Sequence, residues 1–315
     1  MKFLGSIRRR VFGISPAETT ISKRGFQVDH PAIVERLESV GRFFVLGYHE
    51  AMIDPKPEAI GQRLDAVEDL YRGFAYEGAG MALTLLDILT PWNRKRFDNF
   101  LAGAGDGHLY MVHVGAGWAL ARLARRIEPH LERYVPIWRP LVIDGYGFHE
   151  GYFKGTPYYR DHIRPKKLQG GYGYRAFDQG LGRACWFVCG TNVARVHDTI
   201  SGFAPERHGD LWGGVGLAAT YAGGVDEGTL LTLRDAAGDH AAWLGQGAAF
   251  AAKARQRAAN PVPHVEVACR ILCSRGVHEA AALTDSILAD LDFHDSNAYE
   301  TWRTRLRDAF VPVPI

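Results

Sequence analysis

The chain contains 315 residues, of which 47% are hydrophobic, enough to bury a substantial core. Its 37 Lys and Arg residues nearly balance 35 Asp and Glu residues, and the net charge of +2 gives no electrostatic reason to expect nucleic acid as a partner. No uninterrupted apolar run is long enough for a membrane span or a signal peptide, so we expect a cytoplasmic protein without a membrane span.

The amino-terminal region carries a basic run, Arg8, Arg9 and Arg10. We expect residues 1–29 to form an N-terminal extension. A single α-helical repeat domain should follow over residues 30–315.

A five-residue glycine motif recurs along the chain. Strict copies are GAGMA at Gly78, GAGWA at Gly115, GLGRA at Gly180 and GVGLA at Gly214, and looser copies are GYGFH at Gly145 and GAAFA at Gly247. Successive copies are separated by 37, 30, 35, 34 and 33 residues. This spacing is typical of a repeated unit of two short helices and a turn. Weaker echoes, GYHEA at Gly47 and GVHEA at Gly276, are either end units or coincidences.

The stretches around and between these copies predict the fold class. Each copy has Ala and Leu at helical spacing, and Pro, Gly and charged residues fill the intervals. We expect an all-α chain of about six to eight helical hairpins of roughly 34 residues in a solenoid-like or curved array. Tetratricopeptide arrays use small residues similarly, although the aromatic signature of that repeat is missing. The small positions should form a patch on one side of each helix, where a neighbouring backbone approaches closely.

Polar residues precede the first glycine in four of the six copies: Glu77, Asp144, Gln179 and Gln246. A carboxylate or amide in an apolar helix needs a partner. We expect these side chains either to hydrogen-bond between neighbouring units or to line a polar pocket. In the second case Glu77 and Asp144 are candidate catalytic groups, and Gln179 and Gln246 are candidate substrate ligands.

The copy at Gly145 differs from the others because titratable and aromatic residues crowd into IDGYGFHEGYF. His149 replaces the usual alanine, and Glu150 follows it. On a helix, a carboxylate and an imidazole from this segment could both reach a cleft for acid–base catalysis. With Asp144, Glu77 and His113 they form our candidate catalytic set, although a lone histidine is more often structural. The aromatic residues expected to contact a substrate are Trp118, Tyr146, Phe148, Tyr152, Trp212 and Phe250.

Residues 151–174 are rich in aromatic, basic and turn residues and lack a helical period, which predicts a long surface loop. The four cysteines form two pairs with helical spacing, Cys185 with Cys189 and Cys269 with Cys273. Their apolar surroundings differ from the turn-rich loops of four-thiolate metal sites. We therefore expect buried, reduced thiols.

Near the carboxyl end, DLDFHD brings together Asp290, Asp292 and Asp295. Three carboxylates could hold Mg²⁺ and a diphosphate. The alternative is a turn with helix-capping aspartates. The chain also lacks a Gly-Lys phosphate loop and a serine nucleophile elbow, and we expect neither a metal nor a cofactor.

Six blocks between about Arg24 and Leu288 carry a family resemblance: RGFAYEGAGMAL, VGAGWALARL, DGYGFHEGYF, GRACWFVCGTNVARV, DLWGGVGLAATYAGG and GQGAAFAAKARQR. Together they resemble a bacterial family of unknown function, DUF1702. The resemblance implies a protein of secondary-metabolite gene clusters, notably those for enediyne polyketides, acting beside a polyene-forming polyketide synthase or in a comparable pathway. It supplies no catalytic residues.

Three functions follow from these observations. The first is a cofactor-independent cyclase or isomerase that acts on a hydrophobic, polyene-like intermediate by acid–base chemistry. The second is a non-catalytic helical-repeat scaffold that binds a synthase or tailoring partner of the pathway. The third is a Mg²⁺-dependent enzyme of diphosphate, terpenoid-type substrates.

Overall fold

The computed structural model describes residues 2–90, 92–123, 126–166, 168 and 171–310, with side chains from Gly5 onward. Throughout these residues the regular structure is helical and contains no strand, so the all-α prediction is confirmed. The α-helices of the first half are α1 (Lys2–Phe12), α2 (Ile21–Arg24), α3 (Pro31–Ile53), α4 (Pro57–Leu64), α5 (Asp69–Leu89), α6 (Arg96–Leu101), α7 (Leu109–Arg122), α8 (Glu128–Leu131) and α9 (Arg139–Phe153). Those of the second half are α10 (Gly155–Tyr159), α11 (Tyr172–Val188), α12 (Val193–Ser201), α13 (Pro205–Ala222), α14 (Glu227–Ala237), α15 (Ala241–Arg257), α16 (Pro263–Leu272), α17 (Val277–Ala289) and α18 (Ala298–Asp308).

Local sequence signals explain where several helices begin. Proline occupies the first turn of α3, α4, α13 and α16, where its missing N–H costs no helical hydrogen bond. The Asn192 side chain accepts a hydrogen bond from the Arg195 amide at the start of α12, and Asp226 accepts one from Thr229 at the start of α14. Such caps satisfy amides that have no partner within the helix.

Seven long helices form the centre of the molecule, and we call them the core helices: α3, α5, α7, α9, α11, α13 and α15. Successive core helices pack against each other. Shorter helices separate the core helices along the chain, and α14 packs against both α12 and α16. All six copies of the glycine motif lie on core helices.

Five of the six glycine motifs make close contacts on two sides of their helices, and we call these contacts the glycine interfaces. In α7, a Cβ at Gly115 would overlap the carbonyl oxygen of Glu77 on α5, and a Cβ at Gly117 would overlap that of Val142 on α9. The first glycine thus admits the preceding core helix, and the third position admits the following one. This pattern also holds for Gly78 and Gly80, Gly145 and Gly147, Gly180 and Gly182, and Gly214 and Gly216.

The expectation that the small positions form one patch is therefore wrong. A helix turns about 100° per residue, so two residues that are two positions apart point in nearly opposite directions. The expected close approach of a neighbouring backbone is confirmed, but it occurs on both sides of each helix.

The two weak echoes of the motif have different outcomes. Gly47 of α3 lies against the carbonyl of Ala75 on α5, the following core helix, so it takes the role of a third-position glycine. Gly276 precedes α17 as its N-cap, and a Cβ at this position would meet only the Glu266 carboxylate oxygens, at 3.6 and 3.8 Å. Only the first echo belongs to the packing pattern.

Two segments show contacts or helices that the sequence analysis did not predict. The described part of the N-terminal extension packs on the core helices: a Cβ at Gly5 would overlap the carbonyl of Ile53, and Tyr48 donates a 2.8 Å hydrogen bond to the carbonyl of Phe12. The predicted loop 151–174 is mostly helical at its ends, because α9 continues to Phe153, α10 follows, and α11 begins at Tyr172. The non-helical connection therefore spans 160–171, apart from residues 167, 169 and 170, which lie outside the described structure.

The cysteines are free and buried, as predicted. The sulfur atoms of Cys185 and Cys189 lie 3.7 Å apart, and Cys273 donates to the carbonyl of Cys269 at 3.1 Å. Among the described helices, none has the length and apolar character required to cross a membrane.

Candidate functional site

A cavity of about 460 Å³ lies between the core helices. Its walls come from α3, α5, α7, α9, α11 and α13, and the segment after α1 contributes Gly13, Ile14, Ser15, Glu18 and Thr19. Most of the lining is apolar or aromatic, and the volume falls within the range of small-molecule sites, about 300–1,000 Å³. The residues expected to form an extension thus form part of the cavity wall.

Helix geometry explains which residues line this cavity. With the two glycines facing the neighbouring helices, the residue before the first glycine and the residue three after it project from the same remaining face. We call this side of the core helices the inner face. Its members in the cavity include Glu77, Met81, Trp118, Phe148, Arg183 and Leu217.

Three of the predicted aromatic residues line the cavity: Trp118, Phe148 and Tyr152. The Trp118 and Phe148 rings stack with centroids 5.1 Å apart, and Phe148 stacks on Tyr152 at 5.8 Å. Phe250 and Gln179 line a smaller pocket, about 40 Å³, which shares Arg183 with the cavity.

The remaining predicted substrate ligands lie outside both linings. Tyr146 is buried with its ring centroid 6.3 Å from that of Phe177, and Trp212 is also buried. Gln246 accepts a 3.0 Å hydrogen bond from Arg303 Nε and is fully buried. These three side chains serve the packing of neighbouring helices.

Glu77 is the principal titratable group of the cavity. The residue is 2% exposed, and its Oε1 lies 3.8 Å from Arg183 Nη2. Burial raises the pKa of Glu77 to about 7, since the charged form loses water; Arg183 opposes this rise, and the charge of Asp144 adds to it. The indole N–H of Trp118 lies close enough to lower this pKa, although it makes no hydrogen bond of standard geometry with a described residue.

Asp144 occupies the equivalent position on α9 but has a different environment. It forms a close ion pair with Arg183 and accepts a 2.8 Å hydrogen bond from Gln179 Nε2. It lines the smaller pocket. One guanidinium therefore lies between two buried carboxylates and binds Asp144 more closely than Glu77. Among the polar residues before the glycines, Asp144, Gln179 and Gln246 hydrogen-bond to other helices, and Glu77, Asp144 and Gln179 line pockets.

His149 lines the cavity from α9, with its ring centroid 5.7 Å from that of Trp118. Its Nδ1 lies 3.4 Å from Glu150 Oε1. Burial lowers the pKa of His149, with a further contribution from the charges of Lys154 and Arg122, while Glu150 raises it. At neutral pH the imidazole is therefore uncharged and can accept a proton.

Glu150 lies behind the histidine and is absent from the cavity lining. It accepts hydrogen bonds from Tyr158 at 2.6 Å and from Lys154 at 2.8 Å. Burial alone would raise the pKa of Glu150, but His149, Lys154 and Tyr158 together lower it to about 2. This geometry suits a carboxylate that orients the imidazole rather than one that reacts.

His113 does not join this group. Its Nδ1 lies 2.8 Å from the carbonyl oxygen of Leu109, and its ring packs against Phe97, Tyr134 and Trp138. Burial lowers the pKa of His113 to about 4. Because it lies two residues before Gly115, its side chain leaves the helix away from the inner face.

Sequence reasoning missed two cationic residues of the cavity, Arg183 and Arg122. Arg183 is 5% exposed, and its guanidinium lies 5.0 Å from the centroid of Phe148. Arg122 donates to Tyr48 Oη at 3.2 Å. A signal for Arg183 existed, because GLGRA has arginine where GAGMA has methionine and GAGWA has tryptophan.

The aspartates near the carboxyl end lie in turns, and none of their side chains caps α18, whose N-cap residue is Asn297. Asp292 accepts a 2.9 Å hydrogen bond from the His294 amide, and Asp295 accepts one of the same length from Asn297. Asp290 is also exposed. Among the described residues, no group of three or more His, Cys, Asp or Glu side chains is placed to hold a metal ion.

Comparison with known proteins identifies the family. No curated protein and no solved structure matches the chain. A family model described as protein of unknown function, DUF1702, matches residues 3–310. Because this match covers nearly the whole sequence, the chain belongs to the DUF1702 family of proteins of unknown function.

Proposed function

We propose that this protein is a cofactor-independent cyclase or isomerase that binds a hydrophobic, polyene-like intermediate in the cavity. The observation that carries the proposal is a carboxyl group, Glu77, whose pKa of about 7 lets it hold a proton inside an apolar, aromatic-lined space. A general acid works best when its pKa lies near the operating pH. The resemblance discussed above suggests that the reaction belongs to secondary-metabolite biosynthesis, and we place it in the cytoplasm.

In the proposed reaction, protonated Glu77 donates its proton to a double bond or carbonyl group of the substrate. The positive charge that develops lies among the rings of Trp118, Phe148 and Tyr152, whose faces attract cations. Neutral His149 then removes a proton from another carbon, which restores a double bond in a new position or a new ring. One proton enters the substrate and one leaves, so the product has the same composition as the substrate.

The arrangement of the helices favours the proposed enzyme over the alternative function, a non-catalytic scaffold that binds a partner protein. We infer that the helices form hairpins in a curved array, since the glycine interfaces recur between successive core helices. A scaffold would require an open inner face. Instead, Arg255 of α15 donates hydrogen bonds to the carbonyls of Asp69 and Leu70 on α5, at 2.6 and 3.0 Å, which joins early and late core helices.

Replacing Glu77 by Gln in the native host tests the proposal. We expect an isomer of the normal product to accumulate, because the substitution keeps the volume and removes the proton. The matched control is Glu132→Gln, a change to an exposed glutamate. Unchanged metabolites in Glu77→Gln, with the protein folded and present at normal levels, would contradict the proposal.

The pH dependence of turnover by the purified protein provides a second test. Glu77 must be protonated, so activity should fall as the pH rises above about 7. His149 must be neutral, so activity should also fall in acid, below its lowered pKa. The groups that face these two residues and set the limits are Arg183 and Asp144 for Glu77, and Glu150, Lys154 and Arg122 for His149.

A further inference from the structure

The first helix, α1, has two exposed aliphatic residues, Ile7 and Val11, on the side that faces away from the protein, and we call them the apolar stripe. Its packed side contains Gly5, which lies against the carbonyl of Ile53, and Phe12, which packs on the core. Ile7 and Val11 are four residues apart and therefore share the opposite side of the helix. They are 43% and 63% exposed. An amphipathic helix in a globular protein normally points its aliphatic residues inward. The exposed stripe therefore indicates a binding surface.

Basic residues surround the stripe. Arg9 and Arg10 are exposed, Arg8 is partly exposed, and α1 contains no acidic residue. The three arginines thus lie between Ile7 and Val11 in sequence, next to the aliphatic side chains. The sign of this charge favours an anionic partner.

A second exposed segment has the same combination of apolar and basic residues. After α5, the chain exposes Trp92, at 82%, together with Arg94 and Lys95. Burial lowers the pKa of Arg8, and the positive charge of Arg96 lowers it further. Asp54 is a nearby acid that acts in the opposite direction.

We propose that α1 and residues 92–95 form a docking face for an anionic phospholipid bilayer. Aliphatic residues on one side of a short helix, flanking arginines and an exposed tryptophan are the features of helices that lie in the membrane interface. Cations near an anionic leaflet strengthen such binding. Since no described helix can cross a bilayer, the protein would lie on the surface. This inference goes beyond the proposed reaction and does not depend on it.

The docking face is continuous with the cavity wall. The residues that follow α1 directly, Gly13, Ile14 and Ser15, line the cavity. A bound bilayer would therefore contact the helix that leads directly into this wall of the cavity.

Flotation of the full-length protein with vesicles tests the proposal. We expect binding to vesicles of phosphatidylglycerol and phosphatidylcholine in equal parts, weaker binding as salt is added, and little binding to phosphatidylcholine alone. Val11→Asp should abolish flotation, and Arg9→Gln and Arg10→Gln should each weaken it about fivefold. Brominated lipids should quench the fluorescence of the native protein more than that of Trp92→Phe.

The controls alter exposed residues elsewhere. Leu231→Asp changes an aliphatic residue of α14 that is 38% exposed, and Arg305→Gln changes an exposed arginine of α18. Both should float like the native protein. The proposal is overturned if the native protein does not bind anionic vesicles at low salt, or if the controls weaken binding as much as the α1 variants. It is also overturned if Val11→Asp instead dissociates a dimer that shows no lipid binding, because a second copy would then cover the stripe.

Discussion

The glycine interfaces and the inner face belong to the same helices. The residues at the interfaces stay nearly the same from helix to helix, whereas the residues on the inner face change. At the interfaces, successive core helices meet through the same motif positions, from Gly78 to Gly247. On the inner face, equivalent positions hold Glu77, Asp144 and Gln179, or Met81 and Arg183. Close backbone packing tolerates only small residues, whereas the inner face is free to differ from helix to helix. Repetition thus maintains the fold, and the departures from repetition create the site.

The largest expected effect comes from the inner face, in Asp144→Ala. This variant leaves the buried guanidinium of Arg183 without its close partner, and we expect the free energy of unfolding to fall by about 3–5 kcal/mol. Urea denaturation measures the change. Asp161→Ala, which removes an exposed partner of Arg160, should have no measurable effect. Equal losses in both variants would contradict the difference between buried and surface pairs.

The second effect is a gain of stability in Glu77→Gln. Because the pKa of Glu77 is raised from its usual value to about 7 in the folded state, ionising it costs folding free energy, and native stability should fall as pH rises from about 4.5 to about 7. Above this range the variant should be more stable than the native protein by about 3 kcal/mol, with little difference near pH 4.5. Denaturation curves at several pH values test this, and a variant less stable than the native protein at alkaline pH would contradict it.

A smaller loss is expected at an interface, in Gly115→Ala. The new methyl group would overlap the carbonyl of Glu77, and overpacking of this kind costs about 1–3 kcal/mol. Gly173→Ala is the matched control, since the nearest side-chain atoms to a Cβ there lie 3.9 Å away. Its stability should stay the same or rise by less than about 1 kcal/mol. Similar melting temperatures for both variants would show that the interface is looser than described.

The smallest expected effect is a change in the pKa of His149. Glu150 raises the pKa of His149, so Glu150→Gln should lower it further. Lys154 lowers the same pKa, so Lys154→Met should move it the other way. Titration of the imidazole signal by NMR, assigned through its loss in His149→Gln, measures both shifts. Shifts in the same direction would contradict the arrangement of the three side chains.

Much of the fold and part of the candidate site can be predicted from the sequence, because a helical repeat is a local pattern. The paired glycines and their spacing predict helices and close packing, and the polar residues before them mark the inner face at Glu77 and Asp144. The direction of each glycine also follows from 100° per residue, and there the expectation of one shared patch was at fault. The same geometry places His113 away from the cavity lining, because it lies two residues before Gly115.

Other features depend on contacts between distant parts of the chain. Arg183 on α11 lies close to Glu77 on α5, although five α-helices separate α5 from α11 along the chain. The packing of residues 5–29 on the core helices also depends on tertiary contacts, such as the hydrogen bond from Tyr48 to the carbonyl of Phe12. Residues 151–159 lacked a helical period because α9 and α10 end and begin within them, and neither contributes a full amphipathic stretch.

The separation of packing and lining within each motif has a consequence for change over evolutionary time. The cavity can acquire a new shape, charge or acid by single substitutions just before the first glycine or three residues after it. Such substitutions leave the backbone contacts of both glycines untouched. A family built this way can diversify its chemistry on a constant framework, and an engineer can rewrite the cavity helix by helix.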